Sequence, residues 1–151
     1  MTYSSHVLTK ALKTKYGAVT NTMGLEHNFL GIHWDFRTPE QATLSMDGYI
    51  KDVMRKYNVT KKASTPSSDN LFKSDPSSPK LSKRKQEEFH SLVMTLYHLA
   101  KRVRPDILTS VSCTASRVLN PTEEDERKLD KILAYLLYTI DHCRGLATKL
   151  S

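Results

Sequence analysis

The most regular pattern in the sequence is helical and occupies its last third. Apolar residues recur at every third or fourth position after Ser82, a residue type that often begins a helix. Arg104-Pro105-Asp106 interrupts the pattern, because the residue before a proline avoids the helical conformation, and Pro105 suits the start of a second helix. Thr122-Glu123-Glu124-Asp125 resembles a capping box and precedes a third stripe. Three helices with short joints predict a small bundle. The positions predicted to face inward are Phe89, Leu92, Val93, Leu96, Leu99, Ala100 and Val103, then Ile107, Leu108, Val111, Ala115 and Val118, then Leu129, Ile132, Leu133, Leu136 and Ile140.

A two-residue alternation, which is typical of strands, runs from His27 to Phe36. It predicts a single strand, whose two faces carry Leu30, Ile32, Trp34 and Phe36 on one side and Phe29, Gly31, His33 and Asp35 on the other. Thr38-Pro39 predicts a turn, and the alternation of Ala42, Leu44 and Met46 predicts a hairpin partner. Ala18-Val19-Thr20 is a candidate third strand.

Two shorter helical patterns flank these strands. The first predicts an amphipathic helix that carries Val7, Leu8, Ala11 and Leu12 and ends at Tyr16-Gly17. Asp47 is a candidate N-cap for the second, whose apolar face carries Tyr49, Ile50, Val53, Met54 and Tyr57.

Residues 63–81 are rich in Ser, Pro, Asp and Asn, which predicts a linker or a surface-hugging loop anchored by Leu71-Phe72. We therefore predict an α+β fold in three parts. A small antiparallel hairpin element with one or two helices occupies residues 1–62, a polar linker occupies 63–81, and the three-helix bundle occupies 82–151.

The charge balance favours an anionic partner. The 151 residues carry a formal net charge of +7, which suits DNA, RNA or an acidic membrane surface, although basic proteins also arise for solubility alone. Cys113 and Cys143 are two isolated thiols, so we expect a reducing intracellular compartment, cytoplasmic or nuclear. No segment resembles a signal peptide or a membrane span, so we expect no membrane partner.

Motifs for catalysis are missing from the sequence. It has no glycine-rich phosphate loop, no paired-histidine metalloprotease motif and no Gly-x-Ser-x-Gly elbow. It also has no adjacent Asp-Asp pair for a two-metal site. His27 and His33, on one face of the predicted strand, are too far apart to share a metal. We expect no catalytic residue, cofactor or metal site in this chain.

Basic residues gather in groups that could neutralise nucleic-acid phosphates without reading a base sequence. The groups are Lys10, Lys13 and Lys15; Lys51, Arg55, Lys56, Lys61 and Lys62; Lys83, Arg84 and Lys85; and Lys101, Arg102 and Arg104. The alternative is a solvated surface, with Lys101 and Arg102 placed favourably at a helix C-terminus. Arg104 has a second alternative, which the turn motif favours: Arg104 and Asp106 could tie the joint between two helices.

Six strings follow one another in a recognisable order and spacing. They are His27-Asn28-Phe29-Leu30-Gly31-Ile32, Met46-Asp47-Gly48-Tyr49-Ile50, Thr65-Pro66, Phe89-His90-Ser91-Leu92-Val93, Leu99-Ala100-Lys101-Arg102-Val103-Arg104-Pro105-Asp106-Ile107 and Asn120-Pro121-Thr122-Glu123-Glu124-Asp125. Together with Tyr135-Leu136 and Thr139, they resemble the copia-type reverse transcriptase of LTR-retrotransposon polyproteins. The resemblance runs from about Leu12 to Leu146.

This resemblance implies a place within a longer enzyme. The family's catalytic Tyr-x-Asp-Asp lies upstream of the matching segment and its ribonuclease H acids lie downstream. We therefore expect the chain alone to be inactive and to lack the acids that hold the family's Mg²⁺. What remains would be the primer grip and the thumb, which hold an RNA–DNA or DNA template–primer beside the remainder of the reverse transcriptase.

The residues expected to contact nucleic acid are His27, Phe29, Gly31, His33, Lys51, Arg55, Lys56, Lys83, Arg84, Lys101, Arg102 and Arg104. In the primer grip, Phe29, Gly31 and His33 would share the face opposite Trp34, and Gly31 would let a nucleic-acid backbone approach the strand closely, unless it forms a bulge. The alternatives to nucleic-acid binding are a non-enzymatic helical protein-interaction module and an inert retroelement remnant.

Overall fold

The computed structural model describes residues 2–142 and 144–147; Cys143 lies outside them. This part of the chain has an α+β fold, as predicted, with five α-helices and one antiparallel sheet. In chain order the elements are α1 (Thr2–Tyr16), β1 (Glu26–Phe29), β2 (Ile32–Asp35), β3 (Gln41–Ser45), α2 (Asp47–Lys56), α3 (Lys83–Arg102), a 3₁₀ turn (Pro105–Ile107), α4 (Leu108–Ala115), α5 (Glu123–Tyr138) and β4 (Arg144–Ala147).

The first predicted strand is in fact two strands. Leu30 and Gly31 have φ angles of +51° and +77°, so they form a two-residue hairpin turn between β1 and β2. The turn sets Phe29 opposite Ile32 and His27 opposite Trp34. Because directly opposed residues share a face, Phe29 and His27 lie on the Trp34 face while His33 lies on the other. The prediction that Phe29, Gly31 and His33 share one face is therefore wrong.

The predicted hairpin between β2 and β3 is confirmed. His33 pairs with Ser45 and Trp34 with Leu44, and Ala42, Leu44 and Met46 are buried. A fourth strand, β4, pairs with β3 and was not predicted. The candidate strand Ala18-Val19-Thr20 is irregular instead.

The three helices of the last third follow the predicted pattern. The whole predicted stripe of α3, from Phe89 to Val103, is buried. The Thr122 side chain and the Asp125 side chain cap α5 reciprocally, which confirms the capping box. Asp47 is the first residue of α2 rather than its N-cap, which is Met46.

One hydrophobic core joins the sheet, α2 and the bundle. It contains Ile32 and Leu44 from the sheet, Ile50 from α2, and the inner stripes of α3 and α5. Helix α1 lies outside it: Val7 and Leu8 are 64% and 61% exposed. No helix among the described residues has the length and apolar content needed to span a bilayer.

Residues 63–81 follow the surface of the bundle. Leu71 is buried, whereas Phe72 is exposed and does not anchor the segment. The main-chain N–H groups of Ala63 and Leu81 donate to the carbonyls of Ala134 and Pro121. The surface-hugging alternative is therefore the one observed.

Candidate nucleic-acid interface

Helix α3 carries predicted nucleic-acid contacts at both of its ends. Lys83 and Lys101 are eighteen residues apart, which is five helical turns, so they lie on the same face about 27 Å apart along the axis. That face points away from the buried stripe, and both lysines are exposed. Two cations on one exposed line can follow an extended polyanion.

The C-terminal end of α3 gathers three cationic side chains. The Lys101 ammonium lies 4.5 Å from the centre of the Tyr97 ring, and Arg102 donates to Nδ1 of His98 at 3.0 Å. Arg144 of β4 donates to the main-chain carbonyl of Arg102 at 3.2 Å. The helix dipole favours positive charge at this end.

No local sequence pattern indicates the role of Arg144, because the position of this residue depends on the long-range pairing of β4 with β3. His98, which accepts from Arg102, has a lowered pKa, owing to burial and to the nearby Arg102 charge. Since a guanidinium can only donate, His98 Nδ1 accepts and the ring is neutral.

The N-terminal end of α3 is more evenly balanced in charge. Arg84 pairs with Glu88 at 3.0 Å, and Lys85 pairs with Glu126 of α5 at 2.9 Å. Lys83 forms no ion pair among the described residues. Exposed pairs such as Arg84–Glu88 contribute less than about 1 kcal/mol, so a phosphate can replace the carboxylate at little cost.

Helix α2 places its predicted contacts on its exposed side. Lys51, Arg55 and Lys56 are exposed; Arg55 pairs with Asp52 at 2.9 Å, and Lys56 lies 5.2 Å from the centre of the Tyr57 ring. These cations are accessible to a ligand, but the exposed Arg55–Asp52 pair partly neutralises the surface.

Arg104 is placed where a phosphate cannot reach it. The residue is 1% exposed, and its guanidinium donates to the Asp106 carboxylate and to both the carbonyl and the hydroxyl of Thr139. It also lies over the Tyr135 ring, whose hydroxyl donates to Asp106 at 2.9 Å. The structure therefore gives Arg104 the structural role of joining the α3–α4 corner to the end of α5, and its inclusion among the nucleic-acid contacts is corrected.

The β1–β2 hairpin places its predicted contacts differently from the sequence prediction. Phe29 is 65% exposed beside the turn, and Gly31 belongs to the turn itself, so Gly31 is neither a bulge nor a flat approach surface. His27 is engaged internally: its Nε2–H donates to the carbonyl of Gly24 at 3.0 Å, and Nδ1 lies 3.1 Å from the Thr22 hydroxyl. Neither ring nitrogen of His27 is free for a phosphate.

The outer face of this hairpin holds a group of possible metal ligands. Glu26, His33 and Asp35 place ligand atoms within 4.8 Å of one another. Arg37 already bridges the two carboxylates, at 2.6 Å from Glu26 and 2.5 Å from Asp35. Hydrogen bonds from Arg37 hold the pKa of Asp35 at about 2. The guanidinium thus already neutralises the two carboxylates that a metal ion would need.

Comparison with known proteins gives one informative similarity. Over 118 residues, which are 77% of the chain, the sequence is 35% identical to the "Retrovirus-related Pol polyprotein from transposon RE1" of Arabidopsis thaliana. The chain spans 8% of the length of that polyprotein. No family model and no solved structure matches the chain. The similarity supports a retrotransposon origin for this chain.

Proposed function

We propose that the chain binds the sugar-phosphate backbone of an RNA–DNA or DNA duplex, as the primer grip and thumb of a copia-type RNA-directed DNA polymerase would hold a template–primer. The observation that carries the proposal is the exposed face of α3 with a cation at each end. A distance of about 27 Å corresponds to roughly eight nucleotides of one duplex strand at 3.4 Å each. The retrotransposon Pol relative supports a nucleic acid over other polyanions.

The proposed contacts are electrostatic and independent of base sequence. Lys83, Lys101, Arg102 and Arg144 would neutralise phosphates, while the Tyr97 ring beneath Lys101 limits the freedom of that side chain. In this proposal the chain alone carries out no polymerisation, because its sequence has no adjacent Asp-Asp pair of the kind that a two-metal polymerase site uses. We place its action inside the cell.

The first hairpin supports a second contact, with the remainder of the reverse transcriptase. Strand β1 is at the edge of the sheet, so its outer main-chain groups are available for pairing. Leu25, Phe29 and Leu30 around it are 59%, 65% and 66% exposed. A neighbouring part of the polyprotein that covered this edge would bury these side chains.

The proposal is tested by fluorescence anisotropy with a labelled RNA–DNA primer–template across a salt series. The double variant Lys83→Ala/Lys101→Ala should bind roughly tenfold more weakly at moderate salt, and its log–log salt slope should fall by about 1.8, since each phosphate contact contributes about 0.9.

The matched control is Lys73→Ala/Arg127→Ala, which removes the same charge where residues 63–81 meet α5. It should retain most of the affinity and the wild-type slope. Equal losses in the two variants would mean that only net charge matters, and the α3 interface would be rejected.

A further inference from the structure

Helix α1 and the segment after it contain lysines but no acidic residue. The first acidic residue of the chain is Glu26, so residues 1–25 contain Lys10, Lys13 and Lys15 without any carboxylate side chain. Elsewhere, several exposed cations have a carboxylate partner, as Arg37, Arg55 and Arg84 do. Neither Lys10 nor Lys13 forms an ion pair in the part of the chain that the structure describes.

The basic residues of α1 are divided between two faces. His6, Lys10 and Lys13 follow one another at helical spacing and therefore lie on one face. Lys15 lies on the opposite side, with its ammonium 5.2 Å from the centre of the Tyr16 ring. The helix ends at Tyr16, and Gly17 follows with a φ of +85°, which turns the chain so that residues 21–23 return beside the first face.

A cleft of about 740 Å³ lies between that face and the returning chain. His6, Lys10 and Lys13 line one wall, and Asn21 and Met23 line the other. The second wall is fixed by His27, which bonds to both Thr22 and Gly24. The cleft thus combines cationic side chains, an amide and no acidic side chain.

We propose that this cleft binds phosphate groups of a nucleic-acid backbone, as a contact site separate from α3. His6 to Lys13 spans about 10 Å along the helix axis, which is the axial length of three nucleotides in one duplex strand. The choice of nucleic acid over an acidic peptide rests on the proposed function, whereas the anionic nature of the ligand rests on the cleft alone.

Salt-dependent anisotropy of single variants tests the site, because α1 offers a charge-matched control on its other face. Lys10→Ala and Lys13→Ala should each lower the log–log salt slope by about 0.9, while Lys15→Ala should leave it unchanged. Circular dichroism should show unchanged folding, since α1 packs outside the core. In ¹⁵N spectra, the nucleic acid should shift the amide signals of residues 6–14 and 21–23.

The outcomes separate this inference from the proposed function. If Lys83→Ala/Lys101→Ala weakens binding but Lys10→Ala and Lys13→Ala do not, the cleft is rejected and the α3 interface stands. Losses at Lys10 and Lys13 without a loss at α3 would keep the cleft and reject the α3 interface. Equal losses of affinity in Lys10→Ala, Lys13→Ala and Lys15→Ala would show that only net charge matters, and the cleft would be rejected as a binding site. Displacement of the labelled nucleic acid by an unlabelled ten-residue polyglutamate at equal charge concentration would show an acidic-peptide site and overturn the assignment of the ligand.

Discussion

At the scale of single residues, the tip of the first hairpin is fixed by backbone conformation. Leu30 and Gly31 both have positive φ angles, which suit glycine and penalise a residue with a Cβ atom. A Cβ at Gly31 would lie 3.8 Å from Cε of Met46, an ordinary contact, so space does not restrict this position. The constraint on Gly31 is therefore conformational.

Replacing Gly31 with alanine should lower the free energy of unfolding by about 1 kcal/mol, since the left-handed conformation costs an L-residue about 1–2 kcal/mol. The control is Gly48→Ala within α2, where no positive φ occurs and a Cβ would meet nothing within 4 Å. That change should raise the free energy of unfolding by up to about 1 kcal/mol. Urea denaturation measures both, and effects of the same sign would contradict the conformational argument.

Among single polar side chains, we expect Arg104 to contribute most to the free energy of unfolding. Arg104→Ala should lower the free energy of unfolding by about 2–3 kcal/mol, because it removes a buried guanidinium that donates to the Thr139 carbonyl and hydroxyl and to the Asp106 carboxylate. Arg84→Ala, which removes an exposed arginine of the Glu88 pair, should change it by less than about 0.5 kcal/mol.

The Arg104 contacts also predict how the free energy of unfolding changes with pH. Burial raises the pKa of Asp106, but the hydrogen bond and the charge of Arg104 outweigh it, so the pKa is lowered. The contribution of the pair is then complete above the ordinary carboxyl pKa of about 4 and is lost as the pH falls through the lowered value. An Asp106 pKa that is unchanged in Arg104→Ala, followed by NMR, would rule out this pairing.

At the scale of elements, Glu124 and Lys128 attach residues 63–81 to α5. The Glu124 carboxylate accepts from the main-chain N–H of Asp75 at 2.9 Å and from Lys128 at 3.2 Å, and Lys128 also donates to the carbonyl of Lys73. The N–H of Asp75 lowers the pKa of Glu124 most, followed by Lys128. The attachment should therefore hold above pH of about 4.3 and weaken as the pH falls through the lowered value.

Glu124→Gln should release residues 70–78 without unfolding the bundle, because it removes the charge that accepts these donors. Trypsin should then cleave after Lys73 several-fold faster than in the wild type. Glu123→Gln is the matched control, since it removes one acidic charge from the same turn of α5. Equal cleavage rates in the two variants would show that Glu124 does not hold the segment.

At the scale of the whole molecule, local sequence patterns predicted the helices of the bundle, whereas the arrangement of the sheet depends on long-range pairing. The stripe of α3 and the capping box at Thr122 depend on residues within a few positions, so the sequence shows them directly. The turn at Leu30-Gly31 was missed because a two-residue turn interrupts the alternation without removing it, and it reverses the face of every residue before it. Strand β4 depends on its pairing with β3, which no local pattern reveals.

The candidate site was predictable to the same limited extent. The basic groups are visible in the sequence, but their pairing and burial depend on tertiary contacts. Arg104 was wrongly included among the nucleic-acid contacts, because it is buried in a structural network. Arg144 was missed, because only the folded chain brings it to the cations at the end of α3. The metal-ligand group of Glu26, His33 and Asp35 was missed because the turn was missed.

Binding of a nucleic-acid backbone through these exposed cations should be visible in the salt dependence of the affinity. For the folded wild-type chain and a labelled RNA–DNA primer–template, log affinity should fall linearly with log salt concentration, with similar slopes for unrelated base sequences. Absence of binding at about 50 mM salt, by a chain shown to be folded, would rule out backbone binding and leave a protein-interaction module or an inert remnant.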